Sequence, residues 1–480
     1  MNSTTTRLDL VNDFADLFAS TRYEALPRAA IDAAKKSVLD TIGVILAASG
    51  VEPAVRGVID LVRESGGRPE SSILGFGGHA SAVMAGLANG AMAHCLDFDD
   101  RTAQGHHPGS SLVPAVLAVA ERKGGVSGRQ MIAAVAAGQD MFIRLRRNVG
   151  WKQDFHLTTV LGVFSAAGAA ARVLGLSRSQ ILNAFGLASM QSCGLSEMQY
   201  GVGSDLRGMY AGFVTQGAVL AALLAEKGVG GIQTLFEGKA GVFNDYFDGD
   251  YDREGMLRDL GKEYMGASML YKPWPACGVA FTYIHATLEL MREHALKATD
   301  IEQIRVYVGD YQYQLCVPLE SRRSPTTLVD ARFSIPFCVG IAAARQKVTI
   351  GDFTGDSLRD PEVLAVTQKV VPVQDSRYDW KMTLPPGRVV IATRDGRTLD
   401  RIGDNVPGDE TAPMSWDQIV DKFEACASHA ALPLSTQKIR RAQELARKLE
   451  ELDDATELMR VLVHPHRTPP GGSGDMEEMS

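Results

Sequence analysis

The chain has 480 residues, more than one hydrophobic core normally serves, so two or more domains are expected. Hydrophobic residues make up 45% and charged residues 22%, the balance of a globular protein. A formal net charge of -8 with no basic run argues against a nucleic-acid partner and leaves a small anionic substrate open.

The N-terminal MNSTTTRLDLVNDF lacks a basic run followed by an apolar stretch, so no secretory signal is expected. Residues 26–47 place Ala30, Ala33, Ala34, Val38, Leu39 and Ile42 at the three- and four-residue steps of one helix face. The uncharged run 71–96 is broken by Gly, Ser, Asn and His and does not read as a membrane span, which needs about 20 mostly apolar residues. Segments 129–145, 157–174, 179–189 and 212–227 repeat an Ala-, Leu- and Gly-rich helical pattern whose small residues allow close packing. Ser127 and Ser177 stand where a side-chain oxygen caps a first turn.

Near 268 the texture changes. Pro273, Pro275 and Gly278 punctuate the chain, 301–308 and 387–393 read as strands, and 328–345 and 361–370 read as helices between them. Helical character returns at Ser415, a plausible cap, and runs through 437–462. The expectation is a mainly α protein: a large all-helical domain from 1–267 and 410–465, a smaller α+β lid domain at 268–409, and a disordered tail at 466–480. Six scattered cysteines with no CxxC pair point to reduced thiols and a soluble, cytoplasmic protein.

Chemistry concentrates at HCLDFDDRTAQGHHP, residues 94–108. Asp97, Asp99, Asp100 and His107 together offer a base, an acid and a group to orient them, although a solvated acidic loop has the same composition. No HxxxH or HExxH spacing is present, so no metal is expected. His156 opens an apolar helix, where the positive helix end favours a neutral imidazole; alone it reads as a capping histidine. Arg207 and Tyr210 lie in GVGSDLRGMYAG, a helix entry suited to a carboxylate or, equally, to a surface salt bridge. It has neither the Walker ending nor a preceding strand. Lys272, in YKPWPACG, sits in a stiff proline-flanked turn and either reaches a substrate or lies on the surface.

Read in order, these pieces resemble the MmgE/PrpD family of 2-methylcitrate dehydratases and cis-aconitate decarboxylases. The resemblance runs through LDTIGVILA, NGAMAHCLDFDD with HPGSSLVPA, DFHLTTVLGVFSAA, LRGMYAGFVTQGAVLAALLA, YKPWPACG, DARFSIPFCVGIA and PMSWDQIVDKF. It implies a helical domain from both chain ends, an α+β lid, a cleft between them, a homodimer, and acid/base chemistry on carboxylates without metal or organic cofactor. Carried over, Asp97, His107, His156 and Lys272 are the catalytic candidates, with Asp97 orienting a histidine. Arg101, Arg207, Tyr210 and His106 are expected at substrate carboxylates.

The sequence departs from that family pattern at several points. Arg101 replaces a threonine, Arg207 a lysine, Tyr210 a histidine and Phe337 a tyrosine, and a histidine expected after the KPxPAC turn is missing. Arginine keeps the cation but substitutes a fixed bidentate fork for a proton donor. Three functions fit: a dehydratase or decarboxylase of a di- or tricarboxylate, an isomerase or epimerase of a dicarboxylate such as iminodisuccinate, or a non-catalytic carboxylate-binding homologue.

Overall fold

The computed structural model describes residues 7–200, 204–381 and 386–463; the expected tail at 466–480 lies outside them. A helical body comprises α1 (Val11–Ser20), α2 (Arg28–Val51), α3 (Ala82–His94), α4 (Gly109–Lys123), α5 (Gly128–Arg147), α6 (Leu157–Leu174), α7 (Arg178–Ala188) and α8 (Leu206–Glu226). Ser127 and Ser177 do cap α5 and α7, each in a reciprocal box with a glutamine three residues on. The body's core runs from Leu10 to Tyr271 and takes in Met414 to Leu462 from the far end of the chain. α6 and α8 are long and apolar enough to cross a membrane, but 89% and 67% of their apolar windows are buried within the protein. A helix apolar on most sides is explained by a surrounding core as readily as by lipid.

A second core runs from Trp274 to Val406. Its sheet contains β1 (Ile301–Val308), β2 (Val370–Gln374), β3 (Gly387–Thr393) and β4 (Thr398–Gly403) in the order β2-β1-β3-β4. β1 and β2 are parallel; the other pairings are antiparallel. Helices α9 (Phe281–Glu293) and α10 (Ile335–Arg345) pack beside it. The chain then returns to the body through α11 (Trp416–Ala427), capped by Ser415 and packed on α2, and α12 (Thr436–Arg447).

The structure corrects three elements. The helix expected at 328–345 breaks after Arg332: Ser334 accepts from the Phe337 amide and Pro336 occupies the new first turn, so α10 is a fresh start. The helix expected at 361–370 stops at Thr367, and Val370 begins β2, an edge strand that tolerates Pro372. The span 437–462 is interrupted after Arg447 and resumes only at Glu457.

Candidate active site

Two glycines bring the first groups of the site together. A Cβ on Gly90 would lie 2.4 Å from Thr215 Oγ1, and one on Gly212 would lie 2.7 Å from the Leu87 carbonyl, so bare backbone lets α3 and α8 touch. They run antiparallel, and the end of α3 therefore meets the start of α8. His94 and Tyr210 arrive with ring centroids 4.4 Å apart, and Arg207 lies one turn before Tyr210.

The segment after α3 turns sharply at Asp97, whose φ of 47° is left-handed, a region aspartate enters more readily than most residues. Arg101 then forms an isolated antiparallel bridge with Leu270: its amide donates to the Leu270 carbonyl at 2.8 Å and its carbonyl accepts at 2.9 Å. The bridge brings the 272 turn onto Asp97. Lys272 Nζ donates to Asp97 Oδ1 at 2.5 Å and to the Asp97 carbonyl at 2.9 Å. From the lid, Arg332 clamps the same segment by donating to the Cys95 carbonyl at 2.9 Å and to Glu52 at 2.7 Å.

Asp100 anchors the segment from behind. It accepts from Ser37 Oγ at 2.5 Å and from the Gly109 amide at 3.0 Å. A Cβ at Gly109 would come within 2.3 Å of that carboxylate, so α4 can start there only on glycine.

The cleft, which lies where the two cores meet, has a cavity volume of about 90 Å³. All eight candidate residues line it: Asp97, Arg101, His106, His107, His156, Arg207, Tyr210 and Lys272. Sequence reasoning did not single out His94, Trp151, Thr158, Tyr311, Phe333 or Trp380, which also line it. His94 closed a helix and was overshadowed by the paired histidines after it; the aromatics carry no signal in isolation. Phe337 does not contribute to the cleft: it is fully buried in the lid core, 6.5 Å centroid to centroid from Phe353. The phenols that line the cleft are those of Tyr210 and Tyr311.

Aspartate roles also differ from expectation. Asp97 is the counter-ion of Lys272 and lies 3.8 Å from His107 Nε2, too far for a hydrogen bond. The orienting carboxylate is Asp99, fully buried, which takes His94 Nδ1 at 2.9 Å and lies 3.4 Å from His107 Nδ1. His107 Nδ1 also lies 2.9 Å from the Asp100 carbonyl. A carbonyl can only accept, so the proton sits on Nδ1 and Nε2 keeps its lone pair.

Burial sets the charge states. It pushes His107 below the ordinary imidazole range, the Lys272 ammonium adds to this, and Asp99 opposes it. His156 is held well below that range by burial and by His94, His107 and Arg207. Burial alone would raise Asp99, yet His94 and His107 beside it hold the carboxyl well below its usual value. Cys277, also in the cleft, is pushed up to about 11 by burial and by Asp97, so it is a thiol and not a ready nucleophile.

Several buried polar atoms on the cleft wall have no hydrogen-bond partner among the described residues: Asp97 Oδ2, Arg101 Nε, Gln104 Oε1 and His156 Nδ1. Unmet groups of this kind cost about 1–3 kcal/mol each unless a ligand serves them. His94, Asp97, Asp99 and His107 offer four ligand-type atoms within 4.8 Å of one another, a grouping that sequence spacing did not reveal. The Lys272 ammonium already lies on Asp97 Oδ1 at 2.5 Å, a positive charge that a metal ion in this grouping would have as a neighbour.

An MmgE/PrpD N-terminal domain model matches residues 12–254, and an MmgE/PrpD C-terminal domain model matches residues 274–451. The chain belongs to the MmgE/PrpD family. Among its relatives, a cis-aconitate decarboxylase of Aspergillus terreus (strain NIH 2624 / FGSC A1156) is 24% identical, covering 83% of this chain and 84% of its own length. A cis-aconitate decarboxylase of Mus musculus is 23% identical over 95% of this chain and 94% of its own. A 2-methylcitrate dehydratase of Cupriavidus necator is 26% identical over 80% of this chain and 82% of its own. The MmgE/PrpD C-terminal match includes all of α11 and α12, although these helices pack into the core of the N-terminal half.

Proposed function

We propose that this MmgE/PrpD protein is a lyase acting on a small tricarboxylate of the cis-aconitate or 2-methylcitrate kind. The observation that carries the reading is a base and three cationic side chains on one buried wall: His107, with a free Nε2, beside Arg101, Arg207 and Lys272. The named activities of the relatives are decarboxylation and dehydration, which favours a lyase over an isomerase.

In a dehydration, His107 Nε2 takes the proton from the carbon next to a carboxylate. The C–H electrons form the double bond as the C–O bond breaks, and Lys272 gives the departing hydroxyl its proton, releasing water. In a decarboxylation, the C–C bond breaks towards carbon, carbon dioxide leaves, and an acid of the same wall protonates the carbon. Arg101 and Arg207 hold carboxylates and stabilise the negative charge that develops between them. The cleft's own donors supply this chemistry, and no cofactor is invoked. Incubation with cis-aconitate, citrate, 2-methylcitrate and iminodisuccinate, read by mass spectrometry, tests the reading. Loss of one water or one carbon dioxide supports it; exchange or epimerisation without loss of mass, or no turnover of any of them, opposes it.

We further propose a homodimer in a reducing, cytoplasmic setting. All six cysteines are unpaired. Leu206, Phe213, Leu220 and Leu224 project apolar side chains from α8 at seven- and four-residue steps, a stripe exposed among the described residues and suited to a second copy. Sedimentation of the wild type and Phe213→Glu checks this: a dimer that falls to monomer supports it, and a wild-type monomer overturns it.

A further inference from the structure

His106 and His107 are adjacent in sequence and both line the cleft, yet their ring nitrogens are tied in opposite senses. His107 Nδ1 faces a carbonyl acceptor. His106 Nδ1 faces a donor: Arg146 Nε, from the last turn of α5, points to it at 3.2 Å. A guanidinium has N–H groups and no acceptor, so His106 Nδ1 must carry the lone pair and Nε2 the proton.

We infer that Arg146 is a positioning residue that holds His106 as a neutral Nε2–H donor, making it a fixed hydrogen-bond donor to substrate and not a proton shuttle. Arg146 is 2% exposed and its guanidinium stacks on Trp151 with 5.1 Å to the ring centroid. Trp151 also meets the His106 ring edge-on at 5.1 Å, so one indole fixes both partners. The charged and titratable groups facing His106 are Arg146, His156 and His107, all disfavouring a cation, with only the Gln104 carbonyl opposing. The part of the substrate beside His106 must therefore be an acceptor, a carboxylate or carbonyl oxygen. A substrate hydroxyl there would be met as an acceptor only. The donor role rests on the lyase reading above; the protonation pattern does not.

The experiment has two arms. In full-length protein labelled with 15N-histidine and free of substrate, His106 is expected to show a lone-pair Nδ1 and a protonated Nε2 that persist well below the ordinary imidazole range, while Arg146→Met collapses the pattern to a mixture or a titrating ring. Arg146→Lys, which keeps a donor in the same pocket, is expected to restore it in part. A titrating His106 in the wild type, or an unchanged pattern in a folded Arg146→Met, overturns the positioning claim whatever the reaction is. In the kinetic arm, His106→Gln keeps a side-chain N–H near the Nε2 position and His106→Leu does not. With the tricarboxylate that turns over, His106→Gln is expected to stay within about threefold of wild type in kcat/KM and His106→Leu to fall about tenfold or more, chiefly through KM. Equal and severe loss in both variants, centred on kcat, would show His106 to be an acid or base.

Discussion

Lys272 Nζ and Asp97 Oδ1 lie 2.5 Å apart with side chains 1% and 4% exposed, a buried ion pair that joins the lid turn to the segment after α3. Removing one partner leaves an uncompensated charge in a dry wall. Lys272→Met is expected to cost about 3 kcal/mol of stability, and Lys272→Met with Asp97→Asn to recover most of it. Activity should stay lost in both, because the proton donor is gone. Thermal melts with kinetics on the same samples check this.

Asp99 contacts two histidines, and Asp99→Asn is expected to lower kcat by about 100-fold while changing KM little. The pH profile should move in a definite direction. Asp99 is a group that raises His107 against burial, so its removal lets His107 fall further. The base form then persists to lower pH, and the acid limb of kcat/KM shifts to lower pH. A shift upward would assign the orienting role elsewhere.

Much of the site was readable because one short segment carried it. Asp97, His107 and their neighbours share a turn, and the strands at 301–308 and 387–393 announced themselves through β-branched residues. Which aspartate does what was not readable. The left-handed turn at Asp97 and the Arg101–Leu270 bridge turn Asp97 towards Lys272 and leave Asp99 to the histidines. Alternation that is weak at a sheet edge hid β4, and a proline within β2 made that strand resemble the end of a helix. Arg146 was invisible as a site residue because its partner is 40 positions away.

Asp100 is raised to about 8, chiefly by burial, against 3.8 when free. Between these values the folded protein holds a proton that the unfolded chain lacks, so wild-type stability falls as pH rises through that window. Asp100→Asn imitates the protonated acid and lacks this slope. It is expected to match wild type near pH 5 and to gain on it by about pH 8, read as the difference in Tm between the two proteins.

Arg101 reaches Asp409 of the lid at 3.2 Å while lining the cleft, and Arg207 lies over the Phe333 ring at 3.4 Å. Both are placed to hold carboxylates. Arg101→Ala and Arg207→Ala are each expected to raise KM by about tenfold or more, with a smaller effect on kcat. A pure kcat effect would show that the lost group acts only in the transition state.

The most direct test of the account is turnover of cis-aconitate and 2-methylcitrate by wild type and His107→Ala, followed by mass spectrometry and kinetics. The account predicts release of carbon dioxide or water by the wild type and a loss in kcat of about 100-fold or more in the variant, with the substrate still bound. Full turnover by a folded His107→Ala would contradict it.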